Sequence, residues 1–108
     1  MEKIEMKVFE THDEQRLELG DGTYLLLVER NTKLSLSGLT AEDYARNVWK
    51  MRNSGEKVWR IHSDRDHMGS PFIQLFVLDN PCLIDRWDSN IYKVDLETGW
   101  AEQYQSHK

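Results

Sequence analysis

With 108 residues and a mass of 12.8 kDa, the chain has room for one domain, spanning 1–108, and not for two. Hydrophobic residues make up 39%, charged residues 31%, and the mean hydropathy is -0.70. The longest apolar runs, residues 25–28 and 76–78, are far too short for a membrane-spanning helix. A chain of this mass buries roughly two-thirds of its extended surface on folding, so a core forms without metals or disulfides.

The net charge of -5 is concentrated at one end. Residues 1–29 hold eight acids (Glu2, Glu5, Glu10, Asp13, Glu14, Glu18, Asp21, Glu29) against Lys3, Lys7 and Arg16, and the remainder balances. Binding to a phosphate backbone needs clustered Lys and Arg, so the charge argues against nucleic acid as partner. It suits a basic protein, because complementary fields speed encounter, and it also serves solubility. Cys82 is the single cysteine and makes no internal disulfide. That usage, with no basic and apolar leader at the start, leads to the expectation of a cytoplasmic protein.

In chain order, Lys3 to Phe9 alternates as a half-buried strand does. A polar stretch, 11–15, follows. Arg16 to Leu19 and Thr23 to Glu29 read as strands around a Gly20-Asp21-Gly22 hairpin turn. Leu34 and Leu36 alternate with serines and predict another short strand. Thr40, three residues before Asp43, marks the start of one short helix over 41–46 with Tyr44 facing inward. Residues 47–51 and 57–61 flank Asn53-Ser54-Gly55, and 71–78 and 82–87 flank Asp79-Asn80-Pro81. Both are hairpin signals. Turns at Asp88-Ser89-Asn90 and Glu97-Thr98-Gly99 lead into strands over 91–95 and 100–104, and 105–108 reads as a frayed tail. The expected fold is mainly β: about eight antiparallel strands in hairpins or a meander, forming a small sheet or sandwich, with one short helix.

One hairpin is written twice. Asn47-Val48-Trp49-Lys50-Met51 and Asn90-Ile91-Tyr92-Lys93-Val94 lie 43 residues apart, and each leads through a Gly-ended turn into a strand bearing Trp59 or Trp100. Ile91 to Gly99, with its Asp-x-x-Thr-Gly turn, resembles the blade motif of pyrroloquinoline-quinone-type β-propellers. Residues 47–61 resemble the same hairpin from its tryptophan side. A propeller needs about four blades, and a repeat of this length leaves room for two here. The set Arg46-Asn47-Val48-Trp49, Val58-Trp59-Arg60-Ile61, Pro71-Phe72, Arg86-Trp87-Asp88 and Val94 to Gly99 also resembles small bacterial β proteins, some of which look like immunity proteins of toxin systems. Ser89-Asn90 stands where that pattern has glycine.

The most chemical-looking stretch is His62-Ser63-Asp64-Arg65-Asp66-His67, with two histidines and two carboxylates. Its spacing matches no ligand motif, so a solvated loop is the first reading, a protein contact the second, and a metal or catalytic site the last. Cys82 opens an apolar strand and reads as a buried structural thiol. No phosphate-binding glycine loop or nucleophile elbow occurs. Trp49, Trp59, Trp87 and Trp100 read first as core, and any that face outward are anchors for a protein partner.

The resulting expectation is a binding protein without catalysis or cofactor. The resemblance implies an immunity protein that covers a basic toxin. Asp64, Asp66, Arg86, Trp87, Asp88 and Tyr92 are the candidate contacts. Two alternatives stay open: a homo-oligomer assembled through blade-like hairpins, and a metal-dependent enzyme using the His62–His67 loop.

Overall fold

A computed structural model of the chain describes residues 8–10, 14–30, 34–76 and 82–106. Two antiparallel meanders follow one another. The first comprises β1 (Val8–Glu10), β2 (Glu14–Glu18), β3 (Thr23–Val28), β4 (Val48–Arg52) and β5 (Lys57–Arg60), hydrogen-bonded in that order. The second comprises β6 (Phe72–Phe76), β7 (Cys82–Arg86), β8 (Asn90–Val94) and β9 (Ala101–Ser106), again in chain order. Two short helices, α1 (Leu34–Ser37) and α2 (Ala41–Ala45), bridge β3 and β4. The protein is mainly β, as its sequence patterning predicts.

Alternation writes the faces of the first sheet. In β3, Thr23, Leu25 and Leu27 are buried while Tyr24, Leu26 and Val28 are half-buried on the opposite face. Gly20 and Gly22 both take φ of 87° in the turn before it, where Asp21 accepts hydrogen bonds from the amide and hydroxyl of Thr23. Those bonds hold the Asp21 carboxyl below its usual pKa.

The structure corrects several expectations. Leu34 to Ser37 forms helix rather than strand, with Leu36 75% exposed. The reason lies in the sheet: β3 pairs with β2 on one side and directly with β4 on the other, Leu27 opposite Val48, so neither side of β3 is open to the intervening segment. β2 begins at Glu14, inside the stretch expected to be loop. Gln105 and Ser106 continue β9, opposite Ile91 and Asn90, rather than fraying. Of the strand expected over residues 3–9, residues 3–7 lie outside the described residues, as does the Asp79-Asn80-Pro81 turn. By contrast, Thr40 caps α2 as expected, its hydroxyl accepting the Asp43 amide at 3.0 Å, and Tyr44 is buried.

The sheets share one core. Leu17, Leu25, Leu27, Val48 and Ile61 come from the first, and Phe72, Leu75, Ile84, Tyr92, Val94 and Ala101 from the second. Each large apolar side chain so buried contributes about 1.5–3 kcal/mol. Two side-chain amides and one backbone bridge are among the polar links between the layers. Gln15 accepts the Leu75 amide at 3.1 Å and donates to the Ile73 carbonyl at 2.9 Å. Asn47 accepts the Phe72 amide at 2.8 Å and donates to the carbonyls of Phe72 and Val28. Both amides thus satisfy β6 where a neighbouring strand would otherwise pair. Elsewhere, His62 pairs in parallel with Trp100, through amide bonds of 3.0 Å to Gly99 and 2.8 Å from Ala101.

The sequence repeat has a topological counterpart. β4 and β8 are each the third strand of a four-stranded meander, β2 to β5 and β6 to β9. Their faces are nevertheless out of phase. Tyr92 points into the core, whereas Trp49, its sequence equivalent, lies half-buried on the outer face between Leu26 and Arg60. Register shifts at Lys50/Met51 in one meander and Ile91/Tyr92 in the other interrupt the two ladders at different steps.

Candidate functional site

The segment between β5 and β6 does not behave as a solvated loop throughout. A 3-10 turn, Asp66–Met68, ends at Gly69 with φ 76° and directs Asp66 inward. Its Oδ2 accepts the Ser63 amide at 2.7 Å, and its Oδ1 accepts the Ser63 hydroxyl at 2.7 Å. The same Oδ1 accepts from Arg86 Nη2 at 2.9 Å. Arg86 also donates through Nη1 to Ser63 Oγ at 2.9 Å and through Nε to the Ser70 carbonyl at 2.6 Å. Its guanidinium lies 4.3 Å from the Phe72 ring centroid and 4.9 Å from that of Tyr92. Only 3% of Asp66 and 1% of Arg86 is exposed, so this ion pair is interior. Its hydrogen bonds make the burial tolerable, and they fasten the loop to the second sheet.

From that anchored arginine the chain turns outward. The Trp87 amide donates to the Pro71 carbonyl at 2.9 Å, extending the β6–β7 ladder by one step. Trp87 itself is 70% exposed. Asp88 Oδ1 accepts the Asn90 amide at 3.0 Å, and Oδ2 accepts the Tyr92 hydroxyl at 2.8 Å. Burial first, and that hydrogen bond to a carboxylate second, push the Tyr92 hydroxyl pKa up. Ser89 takes φ 71°, the one non-glycine among the described residues in that region, at the position where the sequence pattern expects glycine.

The six candidate contacts therefore divide. Asp66, Arg86 and Tyr92 lie in the interior, and as surface contacts they are corrected: their charges and hydroxyl are used within the fold. Asp88 is half-buried and holds Tyr92. Asp64 and Trp87 are exposed. The four residues Asp66, Arg86, Tyr92 and Asp88 form a continuous chain of bonds and ring contacts beneath the turn that presents Trp87. Met68, on the 3-10 turn, is 64% exposed.

Three residues escaped the sequence reading. Ser63 completes the buried ion pair, and its spacing from Asp66 was the available signal. Gln15 and Asn47 look like ordinary polar residues, although Asn47 opens the repeated hairpin. Of the histidines in the loop, His67 is exposed and His62 meets the Trp100 ring edge-on at 5.2 Å. Among the described residues, no group of three or more His, Cys, Asp or Glu is arranged to hold a metal, and no helix is long and apolar enough to cross a membrane. The Cys82 side chain lies outside the described residues.

No curated protein and no solved structure matches the chain. The family model of DUF7957, a domain of unknown function, matches residues 11–106. Since that match takes in most of the sequence, the chain belongs to the DUF7957 family of domains of unknown function.

Proposed function

We propose that this domain is a non-catalytic cytoplasmic binding protein that neutralises a basic bacterial toxin by covering it. The observation that carries the reading is Trp87: a 70% exposed indole on a turn whose preceding residue is fixed by a buried ion pair. An exposed tryptophan on a rigid support loses little conformational freedom on docking, which is the property of an interface anchor. Asp64 supplies exposed negative charge on the neighbouring loop, and the net charge of -5 would steer a basic partner toward the domain.

Immobilised wild-type chain and the Trp87→Ala and Asp64→Lys variants, offered the same lysate of source cells, test the proposal. A basic protein held stoichiometrically by wild type, released by moderate salt, should bind the Trp87→Ala chain roughly 30-fold more weakly. Growth arrest by that protein alone, relieved by co-expression of the domain, would establish neutralisation. Equal retention by all three chains would remove Trp87 and Asp64 from the interface.

A further inference from the structure

A second cluster lies on the first sheet, around the C-terminal end of α2. Two guanidinium groups converge on a single carbonyl oxygen there: Arg30 Nη2 and Arg60 Nη2 donate to the Asp43 carbonyl at 3.2 and 2.9 Å. Arg30 Nε adds a bond to the Tyr44 carbonyl at 3.2 Å, and Arg60 Nε one to the Arg46 carbonyl at 2.6 Å. Arg46, in turn, donates to the Ile61 carbonyl at 2.8 Å. Lys57 and Arg60 sit 5.9 and 4.9 Å from the centroid of the Trp49 ring.

Part of this arrangement is structural, because helix-end carbonyls lack intrahelical partners and attract cations. The charge, however, does not balance. Among the described residues, the carboxylate bonded to the cluster is that of Asp43, 3.4 Å from Arg60 Nη1 with its side chain 47% exposed. It stands against Arg30, Arg46, Arg60 and Lys57. Burial first, and then the neighbouring Arg60 charge, lower the Arg30 pKa against the opposing effect of Tyr44 and Asp43. The Arg60 side chain is 27% exposed and Arg30 is half-buried, so the pair is in contact with solvent.

We propose that the Arg30–Arg60 pair is a binding site for a compact oxyanion, a phosphate or carboxylate group held between the two guanidinium groups at the end of α2. The planar forks supply charge-assisted donors, and the anion relieves their mutual repulsion. The site belongs to the first sheet and stands independently of the role given to Trp87.

Nuclear magnetic resonance titration of the full chain with inorganic phosphate, and separately with acetate, against chloride of equal ionic strength tests the assignment. The expected result is saturable shifts of the Arg30 and Arg60 Nε–H signals and of the amides from Glu42 to Asn47. The stronger of the two anions would identify the oxyanion class. Arg30→Gln should weaken binding by about tenfold or more, and Arg30→Lys, which keeps charge without the fork, by less. Shifts no larger than those in chloride, or shifts unchanged in Arg30→Gln, would overturn the proposal. The arginine signals of the wild-type chain decide the matter even where a variant fails to fold.

Discussion

Gly99 lies so close beneath the indole of Trp59 that a Cβ added to it would stand 2.7 Å from two ring carbons. The same indole donates through Nε1 to the Leu96 carbonyl at 2.9 Å, which also accepts from Lys50 Nζ. The 95–99 turn of the second sheet is thus closed by two residues of the first, and this contact ties the two meanders together.

Gly99→Ala should therefore meet two separate penalties. A φ of 82° disfavours any L side chain by roughly 1–2 kcal/mol, and the clash with Trp59 adds overpacking of about 1–3 kcal/mol. Gly22→Ala is the matched control: φ is 87°, but nothing lies within 4 Å of the added atom. Urea denaturation should show Gly99→Ala as clearly the more destabilised. Equal losses would mean that the indole shifts at no cost.

How far the fold was legible follows from the range of the forces involved. Turn glycines, the Thr40 cap and the alternation of Thr23 to Val28 are local signals, read within a few residues, and they appear where the sequence places them. Leu34 to Ser37 carries the right period for a strand, but the pairing of β3 with β4 decides its fate from outside the segment. Asp66 and Arg86 carry the sequence signature of surface charges, because charged residues are rarely buried without partners. Their partners are each other, 20 residues apart, and no local pattern announces that. Trp87 carries the same first reading as core that the other tryptophans do, yet it lies exposed between buried Arg86 and half-buried Asp88, because the strand ends there at a turn.

The interior ion pair makes a directional prediction. Asp66→Ala leaves Arg86 Nη2, the Ser63 amide and the Ser63 hydroxyl without their acceptor and the buried guanidinium without its counter-charge. The expected loss is about 3–5 kcal/mol of unfolding free energy. Arg86→Met in the same background removes the stranded charge while keeping much of the volume against Phe72 and Tyr92, so the double variant should recover part of that loss. A double-mutant cycle in urea checks this. Simple additivity would show that the two side chains contribute independently.

Asn47 has no exposed surface, and its amide serves both backbone groups of Phe72. Asn47→Ala should cost about 3 kcal/mol, since each buried polar group left unpaired costs roughly 1–3 kcal/mol. Hydrogen exchange gives the local readout: the Phe72 amide should lose protection more than the Ile84 amide. Equal loss at both would indicate global destabilisation alone.

Ser89 occupies a left-handed conformation at φ 71°, while its amide donates to the Arg86 carbonyl at 3.0 Å. Glycine keeps that bond and removes the Cβ penalty, so Ser89→Gly should raise stability by about 1 kcal/mol. Ser89→Val, β-branched at the same φ, should lower it by more. Midpoints of urea unfolding compare the three chains, and a destabilised Ser89→Gly would show that the serine side chain contributes a compensating interaction.

Tyr92 gives the fold a dependence on alkaline pH. Its hydroxyl is buried and donates to Asp88, and burial first, then that carboxylate, raise its pKa above the ordinary 10.0. The folded state therefore holds the proton more tightly than the unfolded chain does. The resulting stability is fully present below the unfolded value near 10 and is lost as pH rises through the folded value. Tyr92→Phe should unfold at lower urea concentration at pH 8, because it removes a hydrogen bond worth about 1 kcal/mol and leaves Asp88 Oδ2 without its donor. Between pH 9 and 11, however, the variant should lose stability less steeply than wild type. The difference between the two slopes isolates Tyr92 from the other alkaline titrations, and parallel curves would show that its proton is held no more tightly in the folded chain than in the unfolded one.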